Sequence, residues 1–248
     1  MRPLLLLTRP LPQSERFAHE VQAVCPPHDV LIAPLSEIAA IPFDPAEFTD
    51  ARGLVLTSAN AVPMVSGLPG LAGLPAYCVG PATTQAAQEA GFQAYNSGGD
   101  ALALIEALKT RHPTGPLVHA RGVHLAHDLV AALQADGITI RGVAVYEARG
   151  VAWPQGALAA LIARKGGIAP LFSPRTARRF VQQLHGARPP HLRPVAISEA
   201  CAAQLPDDLR AQCVTARSAD SGGMVQAIAA VMSQGVPDGL RHARAMDK

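Results

Sequence analysis

Hydroxyl-bearing turns are the residues in this chain best suited to chemistry. Thr57-Ser58-Ala59 and Phe172-Ser173-Pro174 each follow a short apolar run, and Val79-Gly80-Pro81-Ala82-Thr83 and Ile197-Ser198 do the same. Ser97-Gly98-Gly99 and Ser221-Gly222-Gly223 read as two further helix openings. At a helix start the first backbone N–H groups lack partners and the dipole is positive, so such a turn holds an anion. The plainer role of each hydroxyl is to cap its own helix. As a set, Ser58, Thr83, Ser97, Ser173, Ser198 and Ser221 face one side of two sheets, which suits a ligand carrying several carboxylates or phosphates.

Other reactive groupings are weaker. Cys25, Cys78, Cys201 and Cys213 are scattered without C-x-x-C spacing and read as small buried hydrophobes. His119, His124 and His127 lie close together, but only Asp128 is near to support them, so no metal is expected. No G-x-G-x-x-G, Walker-type or G-x-S-x-G motif occurs, which argues against a dinucleotide, a nucleoside triphosphate or a serine hydrolase. Twenty-one basic and nineteen acidic residues give a net charge of +2 in 248 residues, with no basic cluster for nucleic acid. The run Leu4 to Leu7, closed by Thr8 and Arg9, is too short to span a membrane and lacks a signal-peptide cleavage site. It reads as a buried strand of a cytoplasmic protein.

The elements that hold these turns alternate. Apolar runs at Leu4–Leu7, Val30–Ile32, Leu54–Leu56, Ala76–Val79, Leu117–Val118, Ile138–Ile140, Val143–Val145, Pro170–Phe172 and Val195–Ile197 are strand-length. Between them lie helical stripes: Phe17, Val21 and Val24; Ala101, Leu104, Ile105 and Leu108; Leu125, Leu129, Ala132 and Leu133, ending at Gly137; and Val225, Ile228, Ala229 and Met232. Alternation of this kind predicts an α/β architecture with parallel sheets. The segment from Gly235 to Lys248 shows no periodicity and reads as loose.

The chain also repeats itself. Thr8-Arg9 and Arg121-Gly122, Ser58 and Ser173, Gly80 and Ser198, and Ser97 and Ser221 occur in matching order at offsets of 112, 115, 118 and 124. Four ordered matches indicate two similar α/β halves. Taken alone, the offsets divide the chain near residue 113.

The ordered motifs Thr8-Arg9-Pro10, Thr57-Ser58-Ala59-Asn60-Ala61-Val62, Val79-Gly80-Pro81-Ala82-Thr83, Arg121-Gly122, Val143-Ala144-Val145-Tyr146 and Phe172-Ser173-Pro174 resemble those of the uroporphyrinogen-III synthase family. The resemblance implies two similar flavodoxin-like parallel-sheet domains joined by a two-stranded antiparallel linker. It places one domain at residues 1–30 plus 153–248, the other at 44–142, and the linker strands at 31–43 and 143–152. The implied substrate is hydroxymethylbilane, a linear tetrapyrrole with eight carboxylates, cyclised without a cofactor by a monomer. Tyr146 then becomes the candidate proton donor, since a phenol donates a hydrogen bond at neutral pH. Ser58, Gly80, Thr83, Ser173, Ser198, Arg9 and Arg121 become candidate substrate-binding residues. The chain departs from the family where a second Gly-Pro-x-Thr turn often stands: it has Ser198-Glu199-Ala200-Cys201. A different class stays open, a non-catalytic two-domain binding protein for a small polyanionic ligand.

Overall fold

The computed structural model describes residues 2–125, 128–164 and 166–233. It divides into two compact units, one formed by the residues up to Glu37 together with those from Gly150 onward, the other by Ile38–Arg149.

In the first unit β1 (Leu4–Leu7), α1 (Leu11–Val24) and β2 (Asp29–Ile32) come from the start of the chain. The remainder comes from its second half: α6 (Ala157–Ala163), β9 (Gly166–Leu171), α7 (Pro174–Gln183), β10 (His191–Ala196), α8 (Glu199–Ala202), α9 (Asp207–Arg210), β11 (Val214–Thr215) and α10 (Ser221–Ser233). The sheet order is β11-β10-β9-β1-β2, with parallel pairing throughout. Numbered within the unit, this is the flavodoxin-like order 2-1-3-4-5. The unbroken leucine run now has its explanation. Leu4 and Leu6 pack with Leu161, Phe180 and Leu209 beneath α6, α7 and α9, whereas Leu5 and Leu7 pack with Phe17 and Ile228 beneath α1 and α10. A strand covered on both faces needs apolar residues at every position.

The second unit contains β3 (Ser36–Ala40) at its boundary, then a 3-10 turn at Pro45–Phe48, β4 (Gly53–Leu56), a 3-10 turn at Ala59–Ala61 running into α2 (Val62–Val65), and β5 (Pro75–Cys78). There follow α3 (Pro81–Glu89), β6 (Gln93–Asn96), α4 (Ala101–Arg111), β7 (Leu117–Gly122), α5 (Leu129–Ala135) and β8 (Ile140–Gly150). Its sheet runs β3-β8-β7-β4-β5-β6, and the pairs from β8 to β6 are parallel. One face, with Leu54, Leu56, Val118, Ala120, Val143 and Val145, packs against Val62 and Val65 of α2 and Ala87 of α3. The other, with Val55, Tyr77, Leu117 and Ile140, packs against α4 and α5.

The internal repeat maps β1 onto β7, β4 onto β9, β5 onto β10 and β6 onto β11. Under that mapping the two sheets share one strand order, β2-β1-β9-β10-β11 and β8-β7-β4-β5-β6. The cut near residue 113 is overturned, because each sheet takes strands from both halves of the repeat. Strand β3 joins the edge of β8, with hydrogen bonds from Ile41 N–H to Val145 O (3.2 Å) and from Val151 N–H to Leu35 O (3.2 Å). These partners advance along one strand as they recede along the other, so the two segments run antiparallel.

Several expectations need correction. Ile138–Ile140 and Val143–Val145 are not two strands: the chain continues straight through Arg141-Gly142 in β8. Gly142 makes room for a neighbour rather than a turn, since a Cβ there would lie 2.9 Å from Arg121 Nε. Leu125 lies before α5 and is exposed; Asp128 caps that helix by accepting from Ala131 N–H at 3.1 Å. Gly137 follows α5 at φ +78°, as a C′ glycine does. Val24 points to solvent at the end of α1. Ser97 and Ser221 are not the caps of α4 and α10. Asp100 accepts from Ala103 N–H (2.8 Å) and Asp220 from Gly223 N–H (2.7 Å), so the repeat is carried by the aspartates. The similar Ser-Gly-Gly triplets adopt different conformations, with Gly98 and Gly99 at positive φ and Ser221 hydrogen-bonded to Glu20 inside the helical turn. Cys78 and Cys201 are buried, while Cys25 and Cys213 are half-buried. The segment from Gly235 to Lys248 and His127 lie outside the described residues.

Candidate active site

In an open parallel sheet, ligands bind beyond the carboxyl ends of the strands where the strand order reverses. That point falls between β1 and β9 in the first unit and between β7 and β4 in the second.

In the second unit β4 ends at Leu56 and Thr57-Ser58 leave the sheet. Ser58 is extended, and its Oγ accepts from Asn60 N–H at 3.2 Å, opening the 3-10 turn into α2. One strand along, Gly80 opens α3 with no side-chain cap, and its carbonyl receives Thr83 N–H, Thr84 N–H and Thr84 Oγ1. A Cβ at Gly80 would approach nothing nearer than Gly99 Cα at 3.8 Å, so the backbone there is open to a ligand. Thr83 sits in the first turn of α3 but is only 5% exposed, facing the core rather than the rim.

Tyr146 is not at the end of its strand but within β8, half-buried. Its ring lies over Gly122 at the carboxyl end of β7, and its carbonyl receives Val123 N–H at 3.0 Å. Tyr146 packs against the cluster that holds α2 and α3, the helices opened by the Ser58 and Gly80 turns. Arg121 goes the other way. Its Nη1 donates to Gly122 O at 3.1 Å, and its stem runs past Gly142 on the face where Val130 of α5 packs. The second unit thus brings Ser58, Gly80 and Tyr146 to one face of one sheet edge and sends Arg121 to the opposite face.

His119, two residues before Arg121 on β7, has a partner that its sequence neighbourhood does not indicate. It is 1% exposed; its Nε2 is 3.1 Å from Thr57 Oγ1, and among the described residues its Nδ1 has no hydrogen-bond partner. Burial, reinforced by Arg121 and only partly opposed by Asp128, pulls the imidazole pKa down to about 4. The side chain is therefore neutral at pH 7. The proximity of three histidines was visible in sequence, but no local signal pairs His119 with a threonine 62 positions earlier.

In the first unit Arg9 follows β1 and Phe172 follows β9. The guanidinium carbon of Arg9 lies 4.3 Å from the centroid of the Phe172 ring, which itself meets Phe17 edge-on at 4.9 Å. Burial and the neighbouring Arg16 lower the Arg9 pKa, with Glu20 in partial opposition. Among the described residues neither Arg9 nor Arg121 forms an ion pair. Arg9 lies instead over the Phe172 ring, and Arg121 bonds the Gly122 carbonyl. Ser173 caps α7, its Oγ accepting from Thr176 N–H (3.1 Å) and bonding Thr176 Oγ1 (2.9 Å). Ser198 caps α8, accepting from Cys201 N–H at 3.3 Å, but Glu199 follows in the first turn. That carboxylate offsets the positive end of a helix only four residues long, so the Ser198 turn is the poorest anion site of the set. Arg9 and Ser173 thus flank the reversal point of the first unit, with Ser198 one strand beyond.

Among the described residues, no group of three or more His, Cys, Asp or Glu side chains is arranged to hold a metal ion, and no helix is long and apolar enough to cross a membrane.

The chain is similar to known proteins in sequence and in fold. Residues 27–226 match the family described as uroporphyrinogen-III synthase HemD. No curated protein matches the chain. Among solved structures, the uroporphyrinogen-III synthetase of Helicobacter pylori 26695 superimposes with a TM-score of 0.60 at 17% identity, covering 93% of this chain and 100% of that one. A mutant uroporphyrinogen III synthase from the extreme thermophile Thermus thermophilus is also similar, with a TM-score of 0.49, 18% identity and coverage of 93% and 99%. The matched segment takes in the second unit's strand-order reversal and the Ser58, Gly80, Ser173 and Ser198 turns, with β1 and Arg9 lying before it, and the chain belongs to the uroporphyrinogen-III synthase family, as an enzyme of tetrapyrrole biosynthesis.

Proposed function

We propose that the enzyme converts hydroxymethylbilane into uroporphyrinogen III, with loss of water and inversion of ring D, acting in the cytoplasm as a monomer and without a cofactor. The observation that carries this reading is the placement of Tyr146 over Gly122 and against the cluster beneath α2 and α3, the helices that the Ser58 and Gly80 turns open. The substrate's electron-rich pyrrole expels the ring-A hydroxyl to give an azafulvene. Tyr146 donates a hydrogen bond to that departing oxygen. The open backbone at Gly80, the turns at Ser58, Ser173 and Ser198 and the guanidinium of Arg9 receive substrate carboxylates. Ring D attacks the azafulvene methylene through its substituted carbon to form a spiro intermediate. The bond from that carbon to the ring-C methylene then breaks, and this methylene bonds to the free α-carbon of ring D. Loss of the proton on that α-carbon restores the pyrrole and balances the proton that leaves with the hydroxyl as water. Most of the rate effect then comes from geometry, because holding two reacting carbons in register replaces a demanding search with a fixed approach.

The near-neutral net charge supports local rather than long-range recognition: +2 over the whole chain is too small to hold eight carboxylates by its overall field. The test is direct. The protein is supplied with enzymatically generated hydroxymethylbilane, the product is oxidised, and isomers I and III are separated by chromatography. Isomer III is expected; isomer I alone, as from uncatalysed closure, refutes the reading. Tyr146→Phe is expected to lower turnover while leaving the fold intact, and unchanged turnover removes Tyr146 from the mechanism.

A further inference from the structure

Strand β8 changes the face of its side chains part-way along. In a regular strand successive residues point to opposite faces. Ile140 packs toward α4 and α5, and a Cβ on Gly142 would meet Val130 on that side; Val143 and Val145 pack toward α2 and α3. By that alternation Tyr146 belongs with Ile140 and Gly142, on the face away from the Ser58 and Gly80 turns. It packs instead against the α2–α3 cluster, as Val145 does.

The cause is an irregularity in the pairing with β7. Ala120 pairs with Val143 and Arg121 with Ala144, but Gly122 pairs with Tyr146, leaving Val145 as the extra residue of a bulge. A bulge of this kind re-aims the side chains that follow it. The seat for the re-aimed ring is Gly122. A Cβ on that residue would lie 3.0 Å from both Cε2 and Cζ of Tyr146 and 3.2 Å from its Oη. These separations are shorter than ordinary carbon contacts of about 3.5–4.0 Å. The bond from Val123 N–H to Tyr146 O, 3.0 Å long, fastens the backbone immediately beyond.

We infer that Gly122, together with the bulge beside it, is a positioning residue that sets the phenol of Tyr146 on the same face as the Ser58 and Gly80 turns. The inference rests on the reading of Tyr146 as the proton donor. Gly122 touches no reacting atom in this scheme; it acts through the tyrosine, by having no side chain.

The experiment is a double-mutant cycle in the full-length enzyme, with Gly122→Ala, Tyr146→Phe and the double variant, assayed for kcat, KM and the fraction of isomer III. An added methyl displaces the ring by a fraction of an ångström, and misplacement on this scale costs on the order of tenfold in kcat. KM is expected to change little, and the effect of Gly122→Ala should vanish in the Tyr146→Phe background. Val123→Pro removes the fastening bond without adding bulk at Gly122, and is expected to lower kcat in the same tyrosine-dependent way. It provides the check if the alanine variant folds poorly. Gly122→Ala with undiminished kcat overturns the inference while Tyr146 keeps its role, provided Tyr146→Phe is itself slow. Equal losses in both backgrounds also overturn it, because the effect then bypasses the phenol. Full activity of Tyr146→Phe instead overturns the underlying reading of Tyr146.

Discussion

Replacement of His119 by glutamine should flatten the pH dependence of stability in the second unit. The imidazole pKa is pulled from 6.5 to about 4, mainly by burial, so the folded chain binds fewer protons than the unfolded chain at mildly acidic pH. Stability associated with the neutral imidazole is therefore fully present above pH 6.5 and is lost as pH falls toward 4. A difference of about 2.5 in pKa corresponds to roughly 3 kcal/mol in total, of which about 2 kcal/mol is lost between pH 7 and pH 5. Glutamine does not titrate, so this component disappears from the variant. The variant starts lower at pH 7, because packing and the bond to Thr57 are disturbed, but it should fall less steeply. Urea unfolding followed by circular dichroism at pH 5, 6 and 7 gives the slopes, and hydrogen exchange in the peptide containing β7 localises the effect. Fluorescence of Trp153, the one tryptophan and a residue of the first unit, serves as the reference signal. Parallel stability curves for parent and variant refute the argument, since they mean that His119 titrates alike in both states.

Asp100→Ala should cost about 1 kcal/mol through loss of the α4 cap, whereas Ser97→Ala should cost almost nothing; thermal unfolding compares them. Ser173→Ala should likewise cost about 1 kcal/mol by uncapping α7, and Ser173→Gly only a few tenths, as read from denaturation midpoints. Burial pushes the Cys78 and Cys201 thiols up to about 11. Both should therefore resist a thiol reagent at pH 8 in the native protein and react promptly in denaturant, and rapid native labelling of either contradicts the buried placement.

The sequence by itself determined the central buried strands, though not the partly exposed β3, β6 and β11, none of which is apolar throughout, together with the alternation with helices and the presence of two related halves. These are short-range properties: residues buried on both faces form continuous apolar runs such as Leu4–Leu7, and a repeated strand-turn-helix unit leaves repeated turn residues. Ser58, Gly80, Ser173 and Ser198 could be placed at helix starts because capping is decided within three or four residues. Even locally there were limits. Ser-Gly-Gly at two matching places looked like a pair of caps, yet the carboxylates of Asp100 and Asp220 are better placed to accept the helix N–H groups.

Tertiary structure decided which turns share a face. Arg121 and Gly122 are adjacent in sequence, but strand alternation sends the arginine toward α5 and leaves the glycine beneath Tyr146. The orientation of Tyr146 depends on one unpaired residue in a ladder between β7 and β8, and no local pattern in Val143-Ala144-Val145-Tyr146 records it. The pairing of Thr57 with His119 likewise exists only because β4 and β7 are neighbours in the sheet. Strand neighbourhood is a long-range choice, made by burying two sheets between their helices. For that reason the chemistry of this site became legible only once the strands were in order.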